Sequence, residues 1–349
     1  MRIALVAPPW IPVPPHGYGG IEWVVHLLAT ELVERGHDVT VFATGDSETA
    51  GELRFVFERG PVEKMHSAME YAMHIGEAYR HVAAEGAAGR PYDVVHDHCA
   101  WLGLAFAPLI PVPVVHTLHG AAVPQEREFF RLMRDRATFV AISRFQTGSF
   151  NEIDVRHVVP NAVDPDAYPF RAEKSDYLLS LGRVARDKAQ HLAVEIAKRA
   201  DTPLVLAGKV DPGDDAAYFE EEILPHIDGQ HIRFEGEVPD DRKRELFAGA
   251  RALLFPIQWD EPFGLVMVEA MACGTPVLAT PRGAVPEVVV HGETGFLSDD
   301  LDELVASVGK LDQISAERCR AHVADRFSPR AMAEGYERVY EEAARARTT

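Results

Sequence analysis

Short runs of β-branched and apolar residues alternate with longer helical patterns along almost the whole chain, and this alternation constrains the fold more than any other feature. Such alternation is typical of βαβ units, which build parallel sheets covered by helices. The predicted strands form two series, the first at 3–8, 38–43, 92–96, 111–117, 138–143 and 155–161, and the second at 177–183, 203–208, 232–236, 252–257, 275–280 and 294–298. The sequence therefore predicts an α/β protein with two parallel sheets.

The chain length and a change in composition place the domain boundary. With 349 residues, the chain suits two domains of about 150 residues each. Residues 161–176 separate the two strand series, and their prolines and mixed charge predict a linker. We therefore expect a first domain at 1–165 and a second at 172–328.

The charge balance limits the partners that this protein can bind. There are 35 Lys and Arg against 54 Asp and Glu, a formal net charge of −19, which argues against nucleic acid as a partner. Three widely spaced cysteines suit a reducing cytoplasm. We interpret the N-terminal apolar run as a first strand rather than a leader, and expect no membrane-spanning segment.

Open parallel sheets bind ligands at the carboxyl ends of their strands. Several glycines and polar residues follow the predicted strands at those ends. We expect them to line a cleft between the two domains: Gly19, Gly20, His98, His119, Arg183 and Glu261.

Two of these loops are suited to bind phosphate. PPHGYGGIE (14–22) is glycine-rich and opens a helix, whose exposed N–H groups favour an anion, although a simple tight turn explains it equally well. LGRVARDKAQH (181–191) places Arg183 and Lys188 in one strand-to-helix turn, where both can reach one anion. The alternative is a solvated basic turn with Asp187 as partner.

Two further motifs resemble metal sites only superficially. In VVHDHCAW (94–101) the residues His96, Asp97, His98 and Cys99 are contiguous, and alternate side chains of a strand point to opposite faces. We interpret this motif as a strand end with one histidine lining the cleft. Asp164-Pro165-Asp166 is interpreted as the start of a turn. No metal site is expected.

VVHTLHG (114–120) ends an apolar strand with two histidines on opposite faces, His116 and His119. A lone histidine is more often a core residue than a catalytic one. His119, however, precedes Gly120 at the end of the strand, where the backbone turns towards the cleft. It is the better candidate for catalysis.

DEPFGLVMVEAMACGTP (260–276) is an apolar helical pattern that carries two carboxylates eight positions apart. A helix that starts near Phe263 contains Glu269 and leaves Glu261 in the preceding loop. The two carboxylates therefore have different roles.

These motifs, taken together, resemble retaining glycosyltransferase family 4. The resemblance is carried in chain order by GGIE, HTLHG, VVPNAVD (158–164), GR-x(4)-K and the segment 260–289 with its E-x(7)-E pair. It implies a GT-B fold of two facing Rossmann-like domains, with a nucleotide-sugar donor held by the second and the acceptor approached by the first. It also implies that a final helix at 329–349, with Tyr336, Val339 and Tyr340 on one face, packs back on the first domain.

The resemblance also implies roles for individual residues. The donor diphosphate is bound by Arg183, Lys188, Gly19, Gly20, Gly264 and Leu265, the ribose by Glu269, and the transferred sugar by Glu261 and by the backbone of Phe263. His119 and Glu261 act at the reacting centre. The choice of base and sugar is expected to depend on loop contacts around Glu237, Val238 and Pro239 and near His291. The donor expected is a UDP-sugar or a GDP-sugar.

The implied reaction needs no cofactor and no metal, because the nucleotide sugar is itself a co-substrate and two cations already meet the diphosphate. Retention follows from same-face attack. Three other classes compete with this interpretation. A dehydrogenase lacks its GxGxxG here, an epimerase or hydrolase would need paired carboxylates at the sugar, and a non-catalytic nucleotide-binding module would not need His119.

The resemblance implies an acceptor hydroxyl on a glycan, a lipid or a small molecule. Arg127, Arg131 and Arg134 fall on one face of a predicted helix in PQEREFFRLMRDR (124–136), and we call these three residues the arginine stripe. Such a stripe suits an anionic acceptor or an acidic lipid surface. The alternative is a solvated face whose arginines pair with Glu126, Glu128 and Asp135.

Overall fold

A computed structural model describes residues 1–17, 19–65, 67–121 and 123–346 of the chain. The chain divides into two compact units. The first contains Met1–Ala162 together with the segment from Pro329 onward, and the second contains Val163–Ser328. Each unit is an α/β domain built on its own parallel sheet, in agreement with the α/β class predicted from the alternating pattern.

The sheet of the first unit has the strand order β3-β2-β1-β4-β5-β6-β7. Its strands are β1 (Arg2–Val6), β2 (Asp38–Ala43), β3 (Glu52–Phe55), β4 (Val94–Asp97), β5 (Val114–Leu118), β6 (Thr138–Ala141) and β7 (His157–Val158). Its helices begin with α1 (Gly20–Glu34), α2 (Ala68–Ala87), α3 (Leu102–Phe106), α4 (Pro124–Met133) and α5 (Arg144–Thr147). The strand order reverses between β1 and β4, and in this class of sheet such a switch point is where ligands bind.

Each strand of the first predicted series is present, but one strand was missed. Glu52–Phe55 forms β3 at the edge of the sheet, where three of its four residues are exposed. Its sequence ELRF lacks the apolar run of a buried strand, so the pattern did not indicate it. The predicted strand at 155–161 is reduced to the two residues of β7.

Helix α1 packs against the sheet with one apolar face. Val24, Val25, Leu28 and Leu32 are fully buried against the sheet, as their helical spacing predicts. Burying each such side chain stabilises the fold by about 1.5 to 3 kcal/mol before the entropy of ordering is subtracted. Gly36 has φ 85° just after the helix, a left-handed conformation that glycine adopts without strain, and it ends the helix where the sequence predicted.

The sheet of the second unit has the order β10-β9-β8-β11-β12-β13. Its strands are β8 (Leu178–Leu181), β9 (Leu204–Ala207), β10 (Ile232–Phe234), β11 (Ala252–Phe255), β12 (Val277–Ala279) and β13 (Gly295–Leu297). Its helices are α6 (Gln190–Arg199), α7 (Asp214–Tyr218), α8 (Asp240–Gly249), α9 (Leu265–Ala272), α10 (Val285–Val288), α11 (Leu301–Val308) and α12 (Ala316–Arg326). The switch point lies between β8 and β11, which are hydrogen-bonded neighbours.

The final helix, α13 (Pro329–Ala346), belongs to the core of the first unit. Tyr336 and Tyr340 are fully buried there beside residues of β1, β4 and β5. The Tyr336 hydroxyl lies 2.9 Å from Thr117 Oγ1, and the Tyr340 hydroxyl lies 2.6 Å from His96 Nδ1. The last three residues of the expected helix, 347–349, lie outside the described residues.

Among the described residues, no helix combines the length and the apolar character needed to cross a membrane.

Candidate functional site

The switch point of the second unit brings together two residues that the sequence singled out. Lys188 follows β8 and Glu261 follows β11, and Lys188 Nζ donates to Glu261 Oε2 over 2.6 Å. Both side chains are largely buried, with 21% and 12% of their surface exposed. Lys188 also lies over the ring of Trp259, 4.4 Å from its centroid, so that a cation–π contact and an ion pair hold the ammonium.

Arg183 lies in the same strand-to-helix turn as Lys188. Its guanidinium contacts Asp215 Oδ2 at 2.5 Å and Asp187 Oδ1 at 3.8 Å. Asp187 is the partner that the solvated-turn alternative named, and Asp215 was not foreseen. Gln190 stabilises this turn, since its side chain donates to the carbonyl of Arg183 over 2.9 Å.

Gly264 sets the start of helix α9. It has φ 84° and caps the helix in the left-handed region, so α9 begins at Leu265 rather than near Phe263. A Cβ at this position would lie 2.6 Å from Met267 Cε, the flexible end of a side chain, so the left-handed backbone rather than the space is what favours glycine. The first N–H groups of α9 have no intrahelical partner, and such groups attract anions. The Phe263 side chain is buried against Phe327, which leaves its backbone for a ligand.

Gly283 supports the loop that carries Glu261. The Glu261 carbonyl accepts from the N–H of Ala284 over 2.8 Å, and Gly283 has φ 59°. A Cβ on Gly283 would lie 2.4 Å from both the nitrogen and the oxygen of the Glu261 backbone. Only glycine allows this approach, and the sequence analysis assigned Gly283 no role.

Glu269 lies in the second turn of α9, as predicted, with 14% of its side chain exposed. Its Oε1 accepts from the Tyr168 hydroxyl over 2.8 Å and from Lys243 Nζ over 3.0 Å. Tyr168 lies in the segment predicted to be only a linker, and neither partner was predicted. In that segment Asp164 begins a turn by accepting from the N–H of Asp166, which confirms the turn interpretation of the DxD motif.

The residues expected near the nucleobase lie at the carboxyl end of β10. Glu237 and Pro239 are exposed, Val238 is half-buried, and Pro239 caps helix α8. His291 is exposed and accepts from the N–H of Leu297 over 3.1 Å.

In the first unit, the glycine-rich loop joins β1 to helix α1. Gly20 is the first residue of the helix and Gly19 its cap, and Tyr18 lies outside the described residues. A Cβ on Gly19 would lie 2.6 Å from Ile11 and 2.8 Å from Pro15. Glu22 in the first turn is only 6% exposed, and this burial raises the pKa of its carboxyl to about 7. The sequence analysis quoted Glu22 within GGIE without assigning it a role.

His119 directly follows β5 and is half-buried. Its Nε2 lies 2.9 Å from His98 Nδ1, and the two rings meet edge to edge, inclined by 25° with their centroids 5.1 Å apart. Desolvation lowers the pKa of His119 to about 4, so the ring is neutral at physiological pH. The prediction that His98 itself lines a cleft is wrong: His98 is 1% exposed, because its ring is covered by the neighbouring histidines.

The other residues of VVHDHCAW point in different directions, as expected for a strand. His96 Nε2 lies 2.8 Å from Thr117 Oγ1, and Asp97 accepts from the Tyr79 hydroxyl over 2.9 Å and from the N–H of Cys99 over 2.7 Å. Within the described part of the chain, no group of three His, Cys, Asp or Glu side chains is arranged to hold a metal ion.

Each member of the arginine stripe contacts a carboxylate. Arg127 pairs with Glu152 at 2.9 Å, Arg131 with Glu128 at 2.6 Å and Arg134 with Asp135 at 3.6 Å. Two of these partners are those that the solvated-face alternative named.

Two family models match the chain in succession. The model described as Glycosyltransferase Family 4 matches residues 18–167, and the model described as Glycosyl transferases group 1 matches residues 167–339. The two matches meet close to the boundary between the two units.

The chain is also similar to individual proteins over nearly its whole length. It is 27% identical to a glycogen synthase of Mycobacterium tuberculosis, over 93% of this chain and 89% of that protein. It is 28% identical to the solved structure of a glycosyltransferase involved in avilamycin A biosynthesis, with a TM-score of 0.74 over 99% and 98% of the two chains. An Anabaena protein solved in complex with UDP-glucose shares the fold at 18% identity, with a TM-score of 0.72 over 98% and 100% of the chains.

Proposed function

Since the chain belongs to the glycosyltransferases that these two family models describe, with a GT-B fold, we propose that it transfers a hexose from a nucleotide-diphosphate sugar to an acceptor hydroxyl with retention of configuration. We propose a UDP- or GDP-sugar as donor, and a glycan, a lipid or a small molecule as acceptor. The structure solved with UDP-glucose supports a donor of this kind.

One observation carries this proposal: the ion pair of Lys188 and Glu261 at the switch point, beside the start of helix α9. A lysine ammonium has three N–H donors, and the bond to Glu261 uses one of them. The remaining donors, together with Arg183 and the free N–H groups at Gly264 and Leu265, suit a diphosphate. Negative charge grows on that diphosphate as the glycosidic bond breaks, and these groups stabilise it in the transition state.

We assign Glu261 and Glu269 to two other parts of the donor, the sugar and the ribose. Glu261 lies before α9, next to the cation that we assign to the diphosphate, and is assigned to the transferred sugar. Glu269 lies one turn into α9 and is assigned to the ribose. Both bonds that the structure gives Glu269 end on Oε1, which leaves Oε2 for a ribose hydroxyl.

In the proposed reaction the bond from the anomeric carbon to the diphosphate oxygen breaks, and a bond to the acceptor oxygen forms on the same face. The proton of the acceptor hydroxyl passes to the departing diphosphate. His119 is assigned to the donor sugar near the anomeric carbon. No protein nucleophile and no metal ion take part, since Arg183 and Lys188 supply the positive charge.

A thermal-shift series with UDP, GDP, UDP-glucose and GDP-mannose tests the donor. A ligand that binds only the folded state at 100 times its Kd adds about 2.7 kcal/mol of stability, so one nucleotide should raise the melting temperature. Arg183→Ala should reduce that shift, because it weakens binding of the diphosphate. Arg186→Ala is a matched control, because Arg186 is three residues away, mostly exposed and paired with Glu222.

The reaction itself is followed by release of the nucleoside diphosphate in a single turnover. Transfer of an intact sugar to an acceptor, with the anomeric configuration read by NMR, supports the proposal. Release without transfer to any acceptor would favour a hydrolase, and an altered sugar on an intact nucleotide would favour an epimerase. Binding without any turnover would favour a nucleotide-binding module.

A further inference from the structure

Three histidines lie next to one another in the first unit: the buried His96 and the half-buried His119 both contact His98, which is itself buried. The ring centroids of His96 and His98 are 3.9 Å apart, and those of His98 and His119 are 5.1 Å apart. A hydrogen bond of 2.9 Å joins His98 Nδ1 to His119 Nε2. The proposed function assigns a role to His119 only, so the purpose of the other two rings is open.

A hydrogen bond between two imidazole nitrogens needs one proton, and both rings are neutral. Burial lowers the pKa of His98 well below its usual value, and that of His119 to about 4. Two arrangements therefore remain. Either His98 Nδ1–H donates to His119 Nε2, or His119 Nε2–H donates to His98 Nδ1.

The other nitrogen of His98 decides between them. His98 Nε2 is buried, and it has no hydrogen-bond partner among the described residues. If His98 accepted from His119, its own proton would sit on Nε2 as a buried N–H without an acceptor. If His98 donates, Nε2 is a lone pair without a donor. Among buried backbone groups an unpaired N–H is rarer than an unpaired acceptor, and the same cost of burying an N–H without an acceptor favours donation by His98.

We propose that His98 is the positioning residue of His119: its Nδ1–H donates to His119 Nε2 and holds His119 in the neutral tautomer that is protonated at Nδ1. His119 then offers an N–H group, rather than a lone pair, to its ligand. An N–H suits a sugar oxygen and cannot remove the proton of an acceptor hydroxyl.

The surroundings of His98 are built to keep its ring in place. Its backbone N–H donates to the carbonyl of Val6 over 2.9 Å, which continues the pairing of β4 with β1. His96, which packs on the His98 ring, is itself held by Thr117 at 2.8 Å and by Tyr340 at 2.6 Å. The orientation of His98 is therefore determined by two strands and by helix α13.

The effect of His98 on turnover rests on the proposed function, whereas the tautomer of His119 can be measured whatever the protein does. The first measurement is therefore made on the ligand-free protein, as ¹⁵N–¹H correlations across the histidine rings, which distinguish Nδ1–H from Nε2–H. Three variants are compared with the wild type. His98→Leu removes the donor, and His98→Asn keeps an amide N–H near the place of Nδ1. His116→Leu is the control, because His116 is equally buried on β5 but packs against Phe130 and Phe139.

His119 should be protonated at Nδ1 in the wild type, in His98→Asn and in His116→Leu, and should lose this preference in His98→Leu. A wild-type His119 protonated at Nε2 overturns the proposal, as does a His98→Leu protein that keeps the Nδ1–H tautomer. The wild-type spectrum can overturn the proposal even if His98→Leu does not fold.

Turnover with the donor that the thermal-shift series identifies gives the second readout. His98→Leu should lower kcat by about tenfold or more at unchanged donor Kd, and His98→Asn should recover most of the loss. Equal loss in His98→Asn and His98→Leu would overturn a role through the hydrogen bond. If the tautomers are as expected but no sugar is transferred, the proposed function is contradicted. The hydrogen bond from His98 to His119 would still be supported.

Discussion

Removing the Glu269 carboxylate tests the donor site most directly. Glu269→Ala deletes the acceptor of two hydrogen bonds, from Tyr168 at 2.8 Å and Lys243 at 3.0 Å, and the oxygen that we assign to the ribose. A hydrogen bond to a charged group contributes about 1.5 to 3 kcal/mol. Loss of the ribose contact should therefore weaken binding of the nucleoside diphosphate by about 10- to 150-fold.

Tyr168→Phe provides a graded comparison. It removes one of the two bonds to Oε1, and Lys243 Nζ still donates to that oxygen over 3.0 Å. We expect a loss of about 0.5 to 1.5 kcal/mol, or roughly 2- to 10-fold in Kd. The effect should be smaller than that of Glu269→Ala, because the ribose keeps its own partner.

Isothermal titration with UDP and GDP measures both losses. Glu245→Ala is the control for removing one negative charge from the second unit, since Glu245 is 60% exposed and pairs with Arg242. Unchanged nucleotide affinity in Glu269→Ala would refute the ribose assignment. A larger effect from Tyr168→Phe than from Glu269→Ala would show that the tyrosine, and not the carboxylate, contacts the nucleotide.

Four further outcomes are expected. His119→Ala should lower kcat by about 100-fold at nearly unchanged donor Kd, whereas the first effect of Arg183→Ala should be weaker donor binding. If His119→Ala transfers sugar at the wild-type rate, His119 is not a catalytic residue. Because the pKa of His119 is lowered to about 4, its protonation should not limit the kcat of the wild type between about pH 6 and pH 8. A wild-type kcat that falls towards pH 6, with no such fall in His119→Ala, would contradict this. Transfer should persist in EDTA, and complete loss with rescue by magnesium or manganese would overturn the metal-independent reaction. Gly283→Ala should weaken donor binding, because the added Cβ displaces the backbone of Glu261. Gly292→Ala is the control, since Gly292 has a similar left-handed backbone but open space around it. Equal donor affinity in the two variants would show that Gly283 does not hold Glu261 in place.

The arginine stripe gives one more expectation, on binding to membranes. Since each of its members already contacts a carboxylate, vesicles of acidic phospholipid at low salt should not sediment the protein. Sedimentation that is lost when the stripe is replaced by alanines would establish a lipid-binding face.

The elements that the sequence predicted well are those whose signal is local. Leu28 and Leu32 reveal the buried face of α1 through helical spacing alone, and the positions of Glu261 and Glu269 relative to α9 follow from their separation along the chain. The start of α9 was misplaced by two residues because the left-handed cap at Gly264 depends on how that loop packs.

What the sequence could not indicate depends on contacts between distant residues. Tyr168 reaches Glu269 across 101 positions, and His98 reaches His119 from a neighbouring strand 21 positions away. No pattern within a short window encodes either pair. Strand β3 was missed for a different reason: it is an exposed edge strand, and such a strand does not need the apolar residues that a sequence pattern detects.

Helix α13 has a consequence for how the protein is made. The core of the first unit includes Tyr336 and Tyr340, so the polypeptide up to Ala162 emerges from the ribosome without two of its largest buried side chains. At a translation rate of about 5 to 20 residues per second, synthesis of the stretch from Ala162 to Pro329 takes roughly 10 to 30 seconds. During that interval the apolar surface of the first unit that α13 will cover stays open. The first unit is therefore synthesised first, but its core is completed only after the residues of α13 have been added.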